Sequence, residues 1–190
     1  NELQAKINRI FRERELLMEL ERLSTKDALT DLYNRRYFEQ RLNEEMTRAV
    51  RQKYPLFLIL MDIDNFKRYN DTKGHQGGDG LLRELANAIE QSIRRDVDTG
   101  FRYGGDEFGV IAPQVNRDQA VMIAERIRDR YAEVEPQGIT SLSIGMTQMI
   151  RHDSLGHEPA EQFIKRADDA LFRSKRKGGG YIEVYEDVGP

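Results

Sequence analysis

Apolar positions along this chain keep two rhythms, and the changes between them mark its elements. From Asn1 to about Leu23 there is no Gly or Pro, and Leu3, Ile7 and Ile10 follow a four-then-three spacing. Leu16, Leu20 and Leu23 resume that spacing in a frame displaced by one residue. An interrupted repeat of this kind, with charges of both signs between, predicts a parallel coiled-coil stalk over residues 1–23. A terminal helix packed on its own domain is the plainer alternative. A stalk this short would continue into an upstream module, and Asn1 in place of Met reads as the start of a piece of a longer protein.

From residue 24 the pattern breaks into turn and cap formers: Asp27, Thr30, Asp31 and Asn34. Asn34 suits the N-cap of a helix running to about Lys53, with Phe38, Leu42, Met46 and Ala49 at helical spacing, until Tyr54-Pro55 stops it. Leu56 to Ile63 is apolar on both faces until Asp62, which predicts a central strand covered by helices. A short helix over residues 65–73, with Phe66 and Lys67 in its first turn, leads to a glycine-rich connection, Gly74 to Asp79. A helix with Leu81, Leu82, Leu85 and Ile89 on its buried face follows. Phe101 to Ala112 reads as a β-hairpin turning at Gly104-Gly105. Beyond it the pattern gives a helix over 116–133, a strand over 139–149, a loop over 152–159, a helix over 163–175 and a strand over 181–185. Strands alternating with helices around one hairpin predict an α/β domain with a mixed sheet, residues 24–190.

Composition narrows the function classes. The 190 residues suffice for one domain with a real core, and 30 basic against 33 acidic residues leave a net charge of −3. That balance argues against a nucleic-acid polymer held by a broad basic field. There is no cysteine, so disulfides, thiolate metal sites and cysteine nucleophiles are excluded, and a reducing compartment is allowed. The longest apolar run, Leu56 to Met61, is too short to span a bilayer, and no signal-peptide pattern opens the chain.

The candidate chemistry lies where strands end. Asp62 closes one strand, and Asp106 and Glu107 open another. If those strands are neighbours, three carboxylates and the Ile63 carbonyl converge at one sheet edge, the all-oxygen set that magnesium or manganese prefers. Lys67 and Lys175 are the cations able to reach a triphosphate there, and Asn70 and Asp79 offer groups complementary to a purine edge. Taken singly, each has a plainer explanation: solvated lysines, an ordinary loop histidine at His75, helix caps at Asn70 and Asp79. Gly74 to Asp79 lacks the Gly-Lys-Ser/Thr of a P-loop.

Taken together, these residues resemble the GGDEF-domain diguanylate cyclases from Asp27 to Tyr185. Gly104-Gly105-Asp106-Glu107-Phe108 is the signature, accompanied by Asp27 to Arg36, Asp62 to Lys67, Asn70-Asp71, Gly74 to Asp79 and Ala167 to Lys175. The resemblance implies a palm-like mixed sheet flanked by helices, of the nucleotidyl cyclase type, with an N-terminal stalk helix. It implies condensation of two GTP into cyclic di-GMP with release of two pyrophosphates, by a homodimer whose stalk brings two half-sites together. It further implies two magnesium or manganese ions held by Asp62, the Ile63 carbonyl and Asp106, with Asp106 and Glu107 as acid/base residues and Lys67 stabilising phosphate charge. Substrate would meet Phe66, Lys67, Asn70, His75, Asp79, Gly105 and Lys175. Arg95 and Asp98, placed before Gly104 at the family's spacing, would form an inhibitory product site for cyclic di-GMP, with Arg126 joining from the next helix. A cytoplasmic domain under an upstream sensory module is the matching expectation.

One position departs from the family: Gly178-Gly179-Gly180 stands where Gly-Arg-Asn usually follows the late lysine, so a triphosphate-clamping arginine is missing. Neither Arg176 nor Lys177 is at the matching position. This keeps a second reading open, a domain that binds GTP or cyclic di-GMP without turnover. A cyclase accepting ATP is a third reading, disfavoured by Asp79 because adenine offers no paired donors there.

Overall fold

A computed structural model describes residues 2–152 and 156–186. The first helix, α1 (Glu2–Thr25), carries Ile10, Phe11, Leu16 and Leu20 on its surface, each at least 60% exposed. The described apolar side chains of α1 are therefore not packed on the domain. The side chains of Leu3 and Leu23, two predicted stalk positions, lie outside the described residues.

The segment after α1 is tied down by short-range polar contacts. Asp27 Oδ1 accepts from the Thr30 amide and hydroxyl, and Asn34 caps α2 (Arg35–Gln52) by accepting from the Tyr37 amide at 3.0 Å. The helix ends at Lys53, whose left-handed φ of 59 turns the chain into Pro55.

The remaining elements are β1 (Leu56–Asp64), α3 (Phe66–Ser92), β2 (Thr99–Gly104), β3 (Glu107–Pro113), α4 (Arg117–Val134) and β4 (Ser141–Gln148), then β5 (Arg151–His152), β6 (Gly156–His157), α5 (Ala160–Arg176) and β7 (Ile182–Val184). The main sheet has the order β2-β3-β1-β4-β7, antiparallel except where β7 runs parallel to β4. β1 is central, as its two-sided hydrophobicity requires. Phe57, Ile59, Met61 and Ile63 join the core on the α3 and α4 side, whereas Leu56, Leu58 and Leu60 join the core that includes Phe38 of α2 and Leu171 of α5. Alternation then aims Asp62 at the α5 side.

Three details differ from the sequence expectations. Gly104 still belongs to β2 and pairs with Glu107, so the hairpin turns at Gly105-Asp106, with φ 51 at Gly105. The glycine-rich stretch joins two helices across a kink, but the connection is shorter than Gly74 to Asp79: Gly74 alone leaves helical geometry (φ 75, ψ 166), and the second helix begins right after it. Gly78 serves close approach instead, since a Cβ there would lie 1.8 Å from Asn70 Oδ1. The predicted loop over 152–159 contains the short β5–β6 ribbon, and its residues 153–155 lie outside the described residues.

Candidate active site

The site begins at the C-terminal end of β1. There Asp62 pairs with Glu107 of β3 on one side and Ser143 of β4 on the other, and the Ile63 amide donates to the Asp106 carbonyl at 3.4 Å. These ladder contacts fix the strand end beside the hairpin turn, so residues far apart in sequence meet there. Asp62, Ile63, Lys67, Asp106 and Lys175 line one cleft of about 400 Å³, with Gly178 and Gly179 on its edge.

Asp62 is buried, and Lys175 Nζ lies 2.7 Å from its Oδ2. Burial pushes the Asp62 carboxyl up to about 6; the Lys175 contact opposes this, and the charges of Asp106 and Glu107 add to it. A carboxyl raised in this way, with an ammonium already on one oxygen, is a position that wants more positive charge.

The strands that carry the three carboxylates are neighbours, with Asp62 opposite Glu107. Asp62 and Asp106 share the cleft, but Glu107, the first residue of β3, opens into a neighbouring cavity of about 420 Å³ with Tyr103, Lys165 and Asp168. Among the described residues no three of His, Cys, Asp or Glu are grouped to hold a metal. Strand register sets Glu107 directly opposite Asp62, so the two side chains stand on the same face of the sheet. Two carboxylates and a peptide carbonyl still fit magnesium, which is commonly held by one or two carboxylates with phosphates and water completing its octahedron. Glu107 remains close enough for its charge to act on Asp62.

α3 carries the other predicted substrate residues. Asn65 takes φ 60 ahead of its first turn, and Phe66 packs its ring on the core while Lys67 is exposed on the cleft. The opening N–H groups of a helix have no partner within it and favour anions. Past the bend, His75 and Asp79 are exposed one helical turn apart. Asn70 Oδ1 is buried without a hydrogen-bond partner, against Gly78.

Arg95 and Asp98 line a separate cavity of about 590 Å³ with Lys26, Tyr33, Tyr37 and Arg41. The Asp98 side chain is fully buried, and Arg94 holds it: the Arg94 amide at 2.7 Å and Nε at 3.1 Å on Oδ2, Nη2 at 2.6 Å on Oδ1. Arg126 does not line this cavity; its Nη2 donates to the Ser92 carbonyl at 2.7 Å.

Several residues of the site have no role assigned from the sequence. Arg94 is one. Arg102 is another: its Nε and Nη2 donate to the Gly105 carbonyl at 3.0 and 2.7 Å, and Nη1 meets Asp27 Oδ1 at 3.0 Å. Burial raises the Asp27 carboxyl, but the Thr30 and Arg102 hydrogen bonds and the Arg102 charge outweigh it and hold Asp27 below the ordinary value. Asp64 is the third, accepting from Ser141, Ser143 and the Gly180 amide.

Comparisons with known proteins agree with this geometry. Residues 24–180 match the model of the family described as "Diguanylate cyclase, GGDEF domain". Diguanylate cyclase DosC of Escherichia coli K12 is 35% identical over 175 residues, covering 91% of this chain, and diguanylate cyclase DgcM of the same strain is 37% identical over 176 residues, covering 90%. The chain spans only 38% and 41% of those two relatives. Among solved structures, the coiled coil and GGDEF domain of DgcB from Caulobacter crescentus, in complex with c-di-GMP, superposes with a TM-score of 0.82 at 30% identity, covering 96% of each chain. No described helix is long and apolar enough to cross a membrane. With its signature hairpin, its cleft at the end of β1 and a family match from residue 24 to residue 180, this chain belongs to the GGDEF family of diguanylate cyclases.

Proposed function

We propose that this chain is the catalytic domain of a diguanylate cyclase that joins two GTP into cyclic di-GMP. The observation that supports this reading most is the meeting of Asp62, Asp106, Lys67 and Lys175 in one cleft. Guanine recognition rests on Asn70 and on exposed Asp79, whose carboxylate accepts from the paired donors N1–H and N2–H₂. His75 stands beside the nucleotide one turn before Asp79. Lys67, Lys175 and the first-turn amide of Phe66 hold the phosphates, and the open space over Gly105 leaves room for the sugar.

The 3′-oxygen of one GTP forms its bond to the α-phosphorus of the other as pyrophosphate leaves. The proton released passes to Asp106, assisted by Glu107, and Lys67 stabilises the charge developing on the phosphates. The same step in the opposite direction closes the ring and releases the second pyrophosphate. Asp62, Asp106 and the Ile63 carbonyl would hold two magnesium or manganese ions, which would supply charge neutralisation and activation of the attacking hydroxyl. Each half-site holds one GTP, so two copies of the domain face one another. The exposed apolar residues of α1 support a stalk that pairs them, under an upstream sensory module in the cytoplasm. Arg95 forms the inhibitory product site with Asp98, which Arg94 holds in place.

A receptor that binds GTP or cyclic di-GMP without turnover is the second reading, favoured by glycine at position 179. Incubation with GTP and magnesium or manganese, followed by chromatographic separation of the nucleotides, decides between them. Cyclic di-GMP accumulates if the domain is a cyclase; tight binding with GTP unchanged makes it a receptor.

A further inference from the structure

The glycines that displace the family's arginine are held in place by a carboxylate that has no role so far. Gly178, Gly179 and Gly180 take φ of 108, 83 and 77, a backbone that side chains strongly disfavour. A Cβ on Gly179 would lie 2.6 Å from the Asp64 carboxyl carbon. That carboxylate accepts from the Gly180 amide at 2.9 Å, from Ser141 Oγ at 2.6 Å and from Ser143 Oγ at 2.7 Å. From the helix side, buried Ser174 closes the same loop: its carbonyl takes the Gly179 amide at 3.2 Å, and its hydroxyl donates to the Tyr181 carbonyl at 2.7 Å.

Two consequences follow. The amides of Gly178, Gly179 and Gly180 are all engaged inside the protein, on the Lys175 carbonyl, the Ser174 carbonyl and Asp64, so the loop is not a phosphate nest. Lys67 and Lys175 are then the cations lining the cleft, and Lys175 is a long side chain on the last turn of α5, next to the loop. Its placement depends on what anchors that helix end to the strand bearing Asp62.

We propose that Asp64 is a positioning residue for the phosphate end of the cleft, latching the Gly178–Gly180 loop to the ends of β1 and β4 and so fixing where Lys175 meets Asp62 and the triphosphate. The latch takes over the ordering that an arginine at 179 would bring, and it leaves no room for one. This inference rests on the GTP reading of the cleft.

Three variants test it: Asp64→Ala, Asp64→Asn and Gly179→Ala. Each is followed by thermal unfolding, by exchange of the Gly180 amide hydrogen, and by affinity for a non-hydrolysable GTP analogue with magnesium. Loss of the hydrogen bonds to the charged acceptor in Asp64→Ala, and the clash of a 179 Cβ with that carboxylate in Gly179→Ala, are each expected to weaken analogue binding about tenfold, with faster Gly180 exchange in Asp64→Ala. Asp64→Asn, which keeps an acceptor oxygen for Gly180, recovers part of the affinity. In steady state the loss appears in KM more than in kcat. Lowered melting temperatures with unchanged analogue affinity would make Asp64 merely structural and overturn the proposal, as would unchanged Gly180 exchange in Asp64→Ala. Failure of the wild-type protein to bind the analogue overturns the GTP reading itself, and the positioning role with it; that outcome is read in the parent and not in the variants.

Discussion

The Lys175 ammonium sits 2.7 Å from Asp62 Oδ2, bringing the last turn of α5 onto the end of the central strand. The lysine is 41% exposed and the aspartate is buried, so one member of the pair faces the cleft and the other the protein. A cation arriving with phosphates can take over Asp62 while Lys175 turns to the phosphate oxygens. Replacing Lys175 by Met is expected to raise KM for GTP about tenfold, the worth of one charge-assisted contact, measured by steady-state pyrophosphate release.

The Asp62 carboxyl also makes a pH prediction. Its folded value of about 6 lies above the ordinary 3.8, so the folded protein retains a proton that the unfolded chain has lost between those pH values. Stability contributed by this group is therefore greatest near pH 4 and falls as pH rises to about 6. In chelator, Asp62→Asn is expected to melt roughly 5 °C above wild type at pH 7 and at about the same temperature near pH 4, as read by calorimetry at both pH values. A difference that does not change with pH contradicts this assignment.

Arg102 links the turn after α1 to the signature hairpin through Asp27 and the Gly105 carbonyl. Arg102→Ala is expected to destabilise the domain by about 1.5–3 kcal/mol at neutral pH, since it leaves charged and carbonyl acceptors without their donor. Asp27 is held below its ordinary value, so its contribution is present above pH 4 and disappears as the pH falls through the folded value. Denaturant titrations at pH 7 and pH 3 should therefore show a smaller gap between variant and parent at pH 3.

Gly78→Ala sets two effects against each other. Alanine is the better helix former by about 1 kcal/mol, but the added methyl would stand 1.8 Å from Asn70 Oδ1. The clash wins because both residues are packed between the two halves of α3 and Asn70 has to move. GTP affinity should fall with Asn70 displaced, and isothermal titration with a non-hydrolysable analogue measures it.

Arg94 and Arg95 are neighbours with separable roles. Arg95 is exposed on its cavity, whereas Arg94 neutralises the buried Asp98. Arg95→Ala should relieve inhibition by cyclic di-GMP while leaving the melting temperature in place. Arg94→Ala should cost about 1.5–3 kcal/mol, since it takes the guanidinium hydrogen bonds from Asp98 while the backbone amide at 94 still donates to it.

Much of this was legible in the residues, and the exceptions have physical causes. The two-sided hydrophobicity of Leu56 to Met61 announced a central strand, and Asn34 announced its helix cap. The hairpin was legible but not its tip: either two-residue step in Gly104-Gly105-Asp106 could turn, and pairing of Gly104 with Glu107 chose the second. Gly74 does break the helix, but glycines at 77 and 78 looked like part of the connection because composition cannot tell a flexible loop from a helix whose glycines admit a close neighbour. Arg94, Arg102 and Asp64 were hidden because their partners are Asp98 beside an apparent motif arginine, a hairpin carbonyl, and serines on a distant strand. Nothing local in the chain marks such contacts.

The most direct measurement is nucleotide analysis after incubation of the wild-type protein and of Asp106→Ala with GTP and magnesium. Cyclic di-GMP and pyrophosphate are expected from the wild type and neither from the variant. Cyclic di-GMP still made by Asp106→Ala, or GTP left intact by the wild type, would contradict a cyclase working through the cleft at the end of β1.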